Sequence, residues 1–134
     1  MGIKVQKNAI DIGIIAKNID AMLTFYGEGL GLELEATMPM PGGGTMNRFK
    51  VGDSIVKVIE LDPAAAAEAP PGGIRGATGY RYWTIHTPHL GEVVRKIEND
   101  GYKVVVPVKT IRERVAIAIV ADPDGNWVEL LENS

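Results

Sequence analysis

No cysteine occurs in the 134 residues, which removes disulfides, zinc-thiolate sites and cysteine nucleophiles together. Such a chain suits a reducing compartment, and the cytoplasm is its expected location. A basic excess is missing too: 14 Lys and Arg stand against 17 Asp and Glu, for a formal net charge of −3. Without a cationic footprint for a phosphate backbone, nucleic acid is not expected as a partner. No apolar run approaches membrane-spanning length, and Met1–Ile10 carries no charged-then-apolar signal segment, so a membrane role is not expected either. What is present is 46% hydrophobic residues in a chain of ordinary domain size, enough for the core of one domain, residues 1–134, without disulfides or structural zinc.

Hydrophobic periodicity predicts a strand over Ala9–Ala16, with Ile10, Ile12 and Ile14 on one side and Asp11 on the other. After Asn18, a predicted N-cap, apolar residues recur at helical spacing from Ile19 to Tyr26 until Gly27, Gly29 and Gly31 end the pattern. Leu32–Thr37 reads as a strand, and Met46–Val51 and Ser54–Leu61 flank Gly52-Asp53 as a hairpin. The Pro- and Gly-rich stretch between Asp62 and Gly79 is a connection. The order then recurs: strand Tyr80–Thr87, helix Leu90–Asn99, strand Tyr102–Pro107, and strands Glu113–Val120 and Asn126–Leu131 around Asp122–Gly125. A shift of 71 carries Asp11 onto Tyr82 and Ile19 onto Leu90, and a shift of 69 carries Val58–Leu61 onto Trp127–Leu130. The expected fold is α+β: two βαβββ modules in tandem (about 8–62 and 80–131, joined by 63–79) around a central cleft.

A pseudo-twofold relation between the modules would bring Asp11, Glu60, Tyr82 and Glu129 together, each pointing away from the helices. Three clustered anions need protonation, arginine partners or a divalent cation, and the cation is the simplest answer. Arg48, Arg81, Arg112 or Arg114 would satisfy the glutamates equally well. His86 and His89 read as surface residues. Gly42-Gly43-Gly44 lacks the Lys-Ser/Thr and following helix of a phosphate loop and reads as a hairpin connection or a lid. Hairpin register puts Asn47 and Phe49 on the face of Glu60. On the face of Glu129 it puts Trp127, Ala118, Ala116 and Arg114, with Ala118 opposite Glu129. Asn47, Phe49, Arg114 and Trp127 are therefore the expected substrate-binding residues, Arg114 as a cation for a carboxylate-bearing ligand.

Two stretches carry a specific resemblance. Asp11–Leu32, with Phe25-Tyr26 leading to Leu30-Gly31, and Ala121–Leu130, with Asp122-Pro123-Asp124-Gly125 leading to Glu129-Leu130, resemble the opening and closing motifs of the vicinal oxygen chelate superfamily, which holds glyoxalases, bleomycin-resistance proteins and dioxygenases. The resemblance implies a metal-dependent lyase, isomerase or dioxygenase, often a homodimer, acting on a small molecule. Its metal-dependent members place His or Gln, Glu or Gln, His, and Glu at the four positions. Here Glu60 and Glu129 match, Asp11 departs but can still ligate, and Tyr82 is a poor ligand unless deprotonated.

Two functions follow as expectations. In the first, Asp11, Glu60 and Glu129 hold a divalent cation (Mn, Mg, Fe, Ni or Zn, with a hard cation favoured by oxygen-only ligation) as a Lewis acid on a substrate oxygen. Glu60 or Glu129 then serves as general base, with Tyr82 as fourth ligand or acid. In the second, the chain is a metal-free binding protein that sequesters an aromatic, antibiotic-like ligand on Trp83, Trp127, Phe49 and Tyr82.

Overall fold

The computed structural model describes residues 2–134. Its elements are β1 (Asp11–Ile15), α1 (Ile19–Thr24), β2 (Glu33–Pro39), β3 (Gly44–Val51), β4 (Ser54–Leu61), β5 (Tyr82–His86), α2 (Leu90–Asn99), β6 (Lys103–Arg112), β7 (Val115–Ala121) and β8 (Trp127–Asn133). They form two four-stranded mixed sheets, ordered β1-β4-β3-β2 and β5-β8-β7-β6, with β1 parallel to β4, β5 parallel to β8 and the other pairs antiparallel. This is the tandem βαβββ plan expected from the repeat.

Each sheet turns one row of side chains to a shared core. From the first come Ile12, Ile14, Phe49, Val56 and Val58; from the second, Trp83, Ile85, Ala118, Val120, Val128 and Leu130. Full burial of a valine or leucine contributes about 1.5–3 kcal/mol. The opposite rows, Asp11, Gly13 and Ile15 on β1 and Tyr82, Thr84 and His86 on β5, make the open faces. α2 buries Leu90, Val94 and Ile97 at helical spacing. Glu132 on β8 caps it, accepting the Leu90 N–H at 2.7 Å, since the left-handed residue before it, His89, gives no side-chain cap.

Asn18 caps α1 as expected, its Oδ1 accepting the Ala21 N–H at 3.2 Å. The helix then widens into one π-turn, Phe25–Gly29, closed by the Leu30 N–H on the Phe25 carbonyl at 2.8 Å. That turn carries Phe25 and Tyr26 fully into the core. Phe25 meets Tyr102 edge to face at 4.9 Å, and Tyr26 stacks on Trp83 at 6.4 Å, so α1 reaches across to the second module.

Most strand boundaries move by a residue or two from the expected ones, and the largest difference is in β6. β6 runs past Pro107 to Arg112, because it is an edge strand with register shifts, where a missing N–H is tolerated. Glu113 and Arg114 then form the turn into β7, with Arg114 at φ 64°. The Gly42-Gly43-Gly44 run is a hairpin connection, in which the Gly43 N–H bonds the Met40 carbonyl and the Asp62 N–H bonds the Gly43 carbonyl. A Cβ on Gly44, at φ 111°, would meet the Glu60 carbonyl at 2.0 Å, so only glycine fits there.

The modules are tied by the β7–β8 turn. Asp122, 4% exposed, accepts the Tyr26 hydroxyl at 2.8 Å, the Asp124 and Asn126 N–H groups and the Asn126 side-chain amide. Asp124 accepts the Lys17 and Asn18 N–H groups at 2.6 and 3.1 Å, at the start of α1. Burial raises the Asp122 pKa above the usual carboxylate value of 3.8, and the donors from Asn126 and Tyr26 oppose that rise. Burial, with Asp122 beside it, pushes the Tyr26 phenol well above 10. A carboxyl with a raised folded pKa is more readily protonated in the native state, so its contribution to stability falls as pH rises from 3.8 to the folded value and is constant above it. Tyr26→Phe removes a charge-assisted donor and should cost about 1.5–3 kcal/mol at pH 7, but less at pH 3, where the acceptor is neutral. Urea unfolding at both values checks this; an equal cost at both would mean that the carboxylate charge plays no part.

Candidate functional site

Asp11 projects from the open face of the first sheet into a pair of lysines. Lys7 Nζ lies 3.0 Å from one oxygen and Lys57 Nζ lies 3.5 Å from the other. The hydrogen bond from Lys7 holds the carboxyl below its ordinary 3.8; partial burial opposes this, and the charges of Lys7 and Lys57 add to the lowering. The next cations across the face are also paired, Arg48 with Glu35 at 3.0 Å and Lys50 with Glu33 at 3.8 Å.

Glu60 is not on that face. β1 pairs with β4 in the register Asp11 to Ile55 through Ile15 to Ile59, which places Ile55, Lys57 and Ile59 in the Asp11 row and Val56, Val58 and Glu60 in the core-facing row. Glu60 also lies five residues along β4 from the partner of Asp11, about 16 Å at strand rise, and is exposed at the strand end. The expectation that Glu60 points away from the helices rested on its apolar neighbours. β4 is buried on both faces, with Ile55 and Ile59 on one side and Val56 and Val58 on the other, so those neighbours carry no information about facing.

The pairing of Asn47 and Phe49 with the Glu60 row is found, Thr45 lying opposite Glu60, but that row belongs to the core. Phe49 packs on Tyr26 at 6.3 Å. Asn47, 5% exposed, donates to the Val58 carbonyl at 3.2 Å and accepts the Thr37 hydroxyl at 3.0 Å. These contacts hold both side chains in the core.

The second sheet keeps its half of the constellation. Tyr82, Thr84, Trp127 and Glu129 share the open face, Tyr82 paired with Trp127 and Thr84 with Glu129, and the Thr84 hydroxyl donates to Glu129 at 2.7 Å. Tyr82 is 49% exposed. Ile119, not Ala118, lies opposite Glu129, because the turn closes from the Asp122 N–H to the Asn126 carbonyl and moves the register by one. That single step sends Ala116 and Ala118 to the core face. Arg114, in its turn, lies off this face as well.

The connection between the modules walls this region. Arg81 donates to the Gly73, Pro70 and Pro71 carbonyls at 2.6, 2.9 and 3.3 Å, and Gly73 lies on the Trp127 ring so closely that a Cβ would fall 2.1 Å away. Beside it opens a cavity of about 660 Å³ lined by Ile74, Tyr80, Arg81 and Tyr82 among others.

A family model of the glyoxalase/bleomycin resistance protein/dioxygenase superfamily matches residues 10–130. The chain belongs to that superfamily. Solved structures agree in fold. A glyoxalase family protein from Bacillus cereus is 17% identical with a TM-score of 0.82, covering 96% of this chain and 95% of its own. One from Enterococcus faecalis is 24% identical with a TM-score of 0.69, covering 96% and 97%. A glyoxalase I mutant from Zea mays is 18% identical with a TM-score of 0.75, covering 92% of this chain and 46% of its own. No curated protein matches the chain in sequence.

The superfamily often uses divalent metals, but the donors of this chain do not fit one at the four superfamily positions. Asp11 is engaged by two ammonium groups, Glu60 leaves from the other face, and among the described residues no three His, Cys, Asp or Glu side chains gather closely enough to hold a cation. The lysines that decide this were not singled out in the sequence; the signal was the parity of Lys57 with Ile55 and Ile59, usable only once the register of β1 on β4 is known.

A carboxyl whose folded pKa is depressed adds stability that is present above the unfolded value and lost as pH falls through the folded one. NMR titration of the Asp11 carboxyl should therefore give a midpoint below 3.8, and Lys7→Ala should move it upward. A midpoint unmoved by Lys7→Ala would show that the pairing does not exist in solution.

Proposed function

We propose that this chain is a superfamily member that binds a small organic molecule at the open face of its second sheet, with no divalent cation at the four superfamily positions. The observation that carries this reading is the Lys7–Asp11–Lys57 cluster: two cations already neutralise the first ligand position, and a metal there would compete with both. The cavity beside Tyr82 is of ligand size. Tyr80 and Tyr82 offer exposed aromatic faces, and Glu129, oriented by Thr84, supplies an anion. A planar aromatic ligand bearing a cationic or hydrogen-bond-donating group fits that chemistry. The metal-dependent reading, in which Asp11, Glu60 and Glu129 hold the cation and Tyr82 assists, retains one supporting observation, the shared face of Tyr82 and Glu129.

Calorimetric titration separates the two. Mn²⁺ and Zn²⁺ should show no stoichiometric micromolar binding that Glu129→Gln abolishes, whereas proflavine, a planar aromatic cation, should bind one to one and lose at least ~10-fold affinity in Glu129→Gln. Tight metal binding lost in both Glu60→Gln and Glu129→Gln would reverse the conclusion.

A further inference from the structure

A second cavity, of about 360 Å³, lies where the first sheet meets β5, walled by Ile10, Ile12, Val51, Val56 and Trp83 among others. None of Asp11, Glu60, Tyr82 or Glu129 lines it. Ile12, Val56 and Trp83 belong to the core-facing rows, and it sits at the Ser54 end of β4, away from Glu60. Trp83 and Thr84 line both cavities, so the two meet at β5, and the inference rests on the wall that only this one has, Ile10, Ile12, Val51, Ser54, Ile55 and Val56.

Its polar rim is small. The two hydroxyls that reach it are those of Ser54, which accepts the Ile10 N–H at 3.3 Å, and Thr84, which donates to Glu129 at 2.7 Å. Most of the remaining wall is aliphatic, so an apolar ligand would cover surface that water wets poorly. Ile10, 66% exposed, stands among the lining residues, an apolar side chain left in solvent beside a concavity of ligand size. Trp83 is a rigid wall, stacked on the fully buried Tyr26. Its Nε1–H is the one buried side-chain nitrogen or oxygen without a hydrogen-bond partner among the described residues.

We propose that this junction cavity is a binding site for a small apolar molecule, or for the hydrocarbon part of a larger one, of about the size of toluene to naphthalene. Occupancy would bridge the two modules, since the lining comes from both β1 and β4 of the first and β5 of the second.

The chain has two tryptophans, so Trp127→Phe leaves Trp83 as the only reporter, and toluene is the probe. Trp83 emission should change saturably with toluene. Ile10→Arg, at an exposed position where the fold tolerates charge, should weaken the apparent affinity at least ~10-fold while circular dichroism and melting temperature stay unchanged. Tyr80→Ala, in the other cavity, should leave it unaltered. A response linear in toluene, an Ile10→Arg variant that binds as tightly as its parent, or loss of binding in Tyr80→Ala would each overturn the proposal. So would a dimer in sedimentation that Ile10→Arg dissociates without any toluene response, which would make a second copy of the chain the occupant.

Discussion

A carboxylate can be buried only if its charge is answered, and the way Asp122 is answered organises this molecule. Its acceptors are filled by the Tyr26 hydroxyl from the first module and by the amides of Asp124 and Asn126 from its own turn. Those local bonds shape the turn, and the shaped turn presents Asp124 to the first backbone N–H groups of α1. With the π-turn that carries Phe25 and Tyr26 inward, this ties α1 to the second module, where Tyr26 meets Trp83, and the core-facing rows of both sheets share one hydrophobic cluster. The two stretches that carry the superfamily resemblance, Phe25-Tyr26 and Asp122–Gly125, are thus the two sides of one contact, and their role here is to join the modules.

The same arrangement explains why the fold was legible and half of the site was not. Helix and strand periods and the Asn18 cap are local properties of the chain, and they reappear in the structure, whereas the repeat shifts give the order of elements but not the pairing, Asp11 meeting Ile55 where Tyr82 meets Trp127. The facing of Asp11 and Tyr82 was readable because β1 and β5 are edge strands with a clean alternation. Glu60 was misread because β4 is apolar on both faces, which erases the alternation, and because the register of a parallel pair is set by the crossover and not by any adjacent turn. Ala118 was misplaced by a single step, since the side chain of Asp122 draws the β7–β8 turn into a longer closure than its Pro-Asp-Gly suggests.

Charge placement then separates this chain from the metal-dependent pattern of its superfamily. Three acids at strand positions invite a cation only if they face one another. Here one meets two lysines, one leaves from the far side of its sheet, and the third is oriented by a threonine beside aromatic side chains. The fold is that of the superfamily, while the charges on this sheet face are paired within the chain.

Asp122 thus makes one cooperative unit of the two modules, and native-state hydrogen exchange puts this to the test. In the unaltered protein the amides of Val56 and Val58 in the first sheet and of Val120 and Val128 in the second should exchange through the same global opening. In Asp122→Ala both sets should lose protection by equal amounts. Loss confined to Val120 and Val128, with Val56 and Val58 unchanged, would contradict the account.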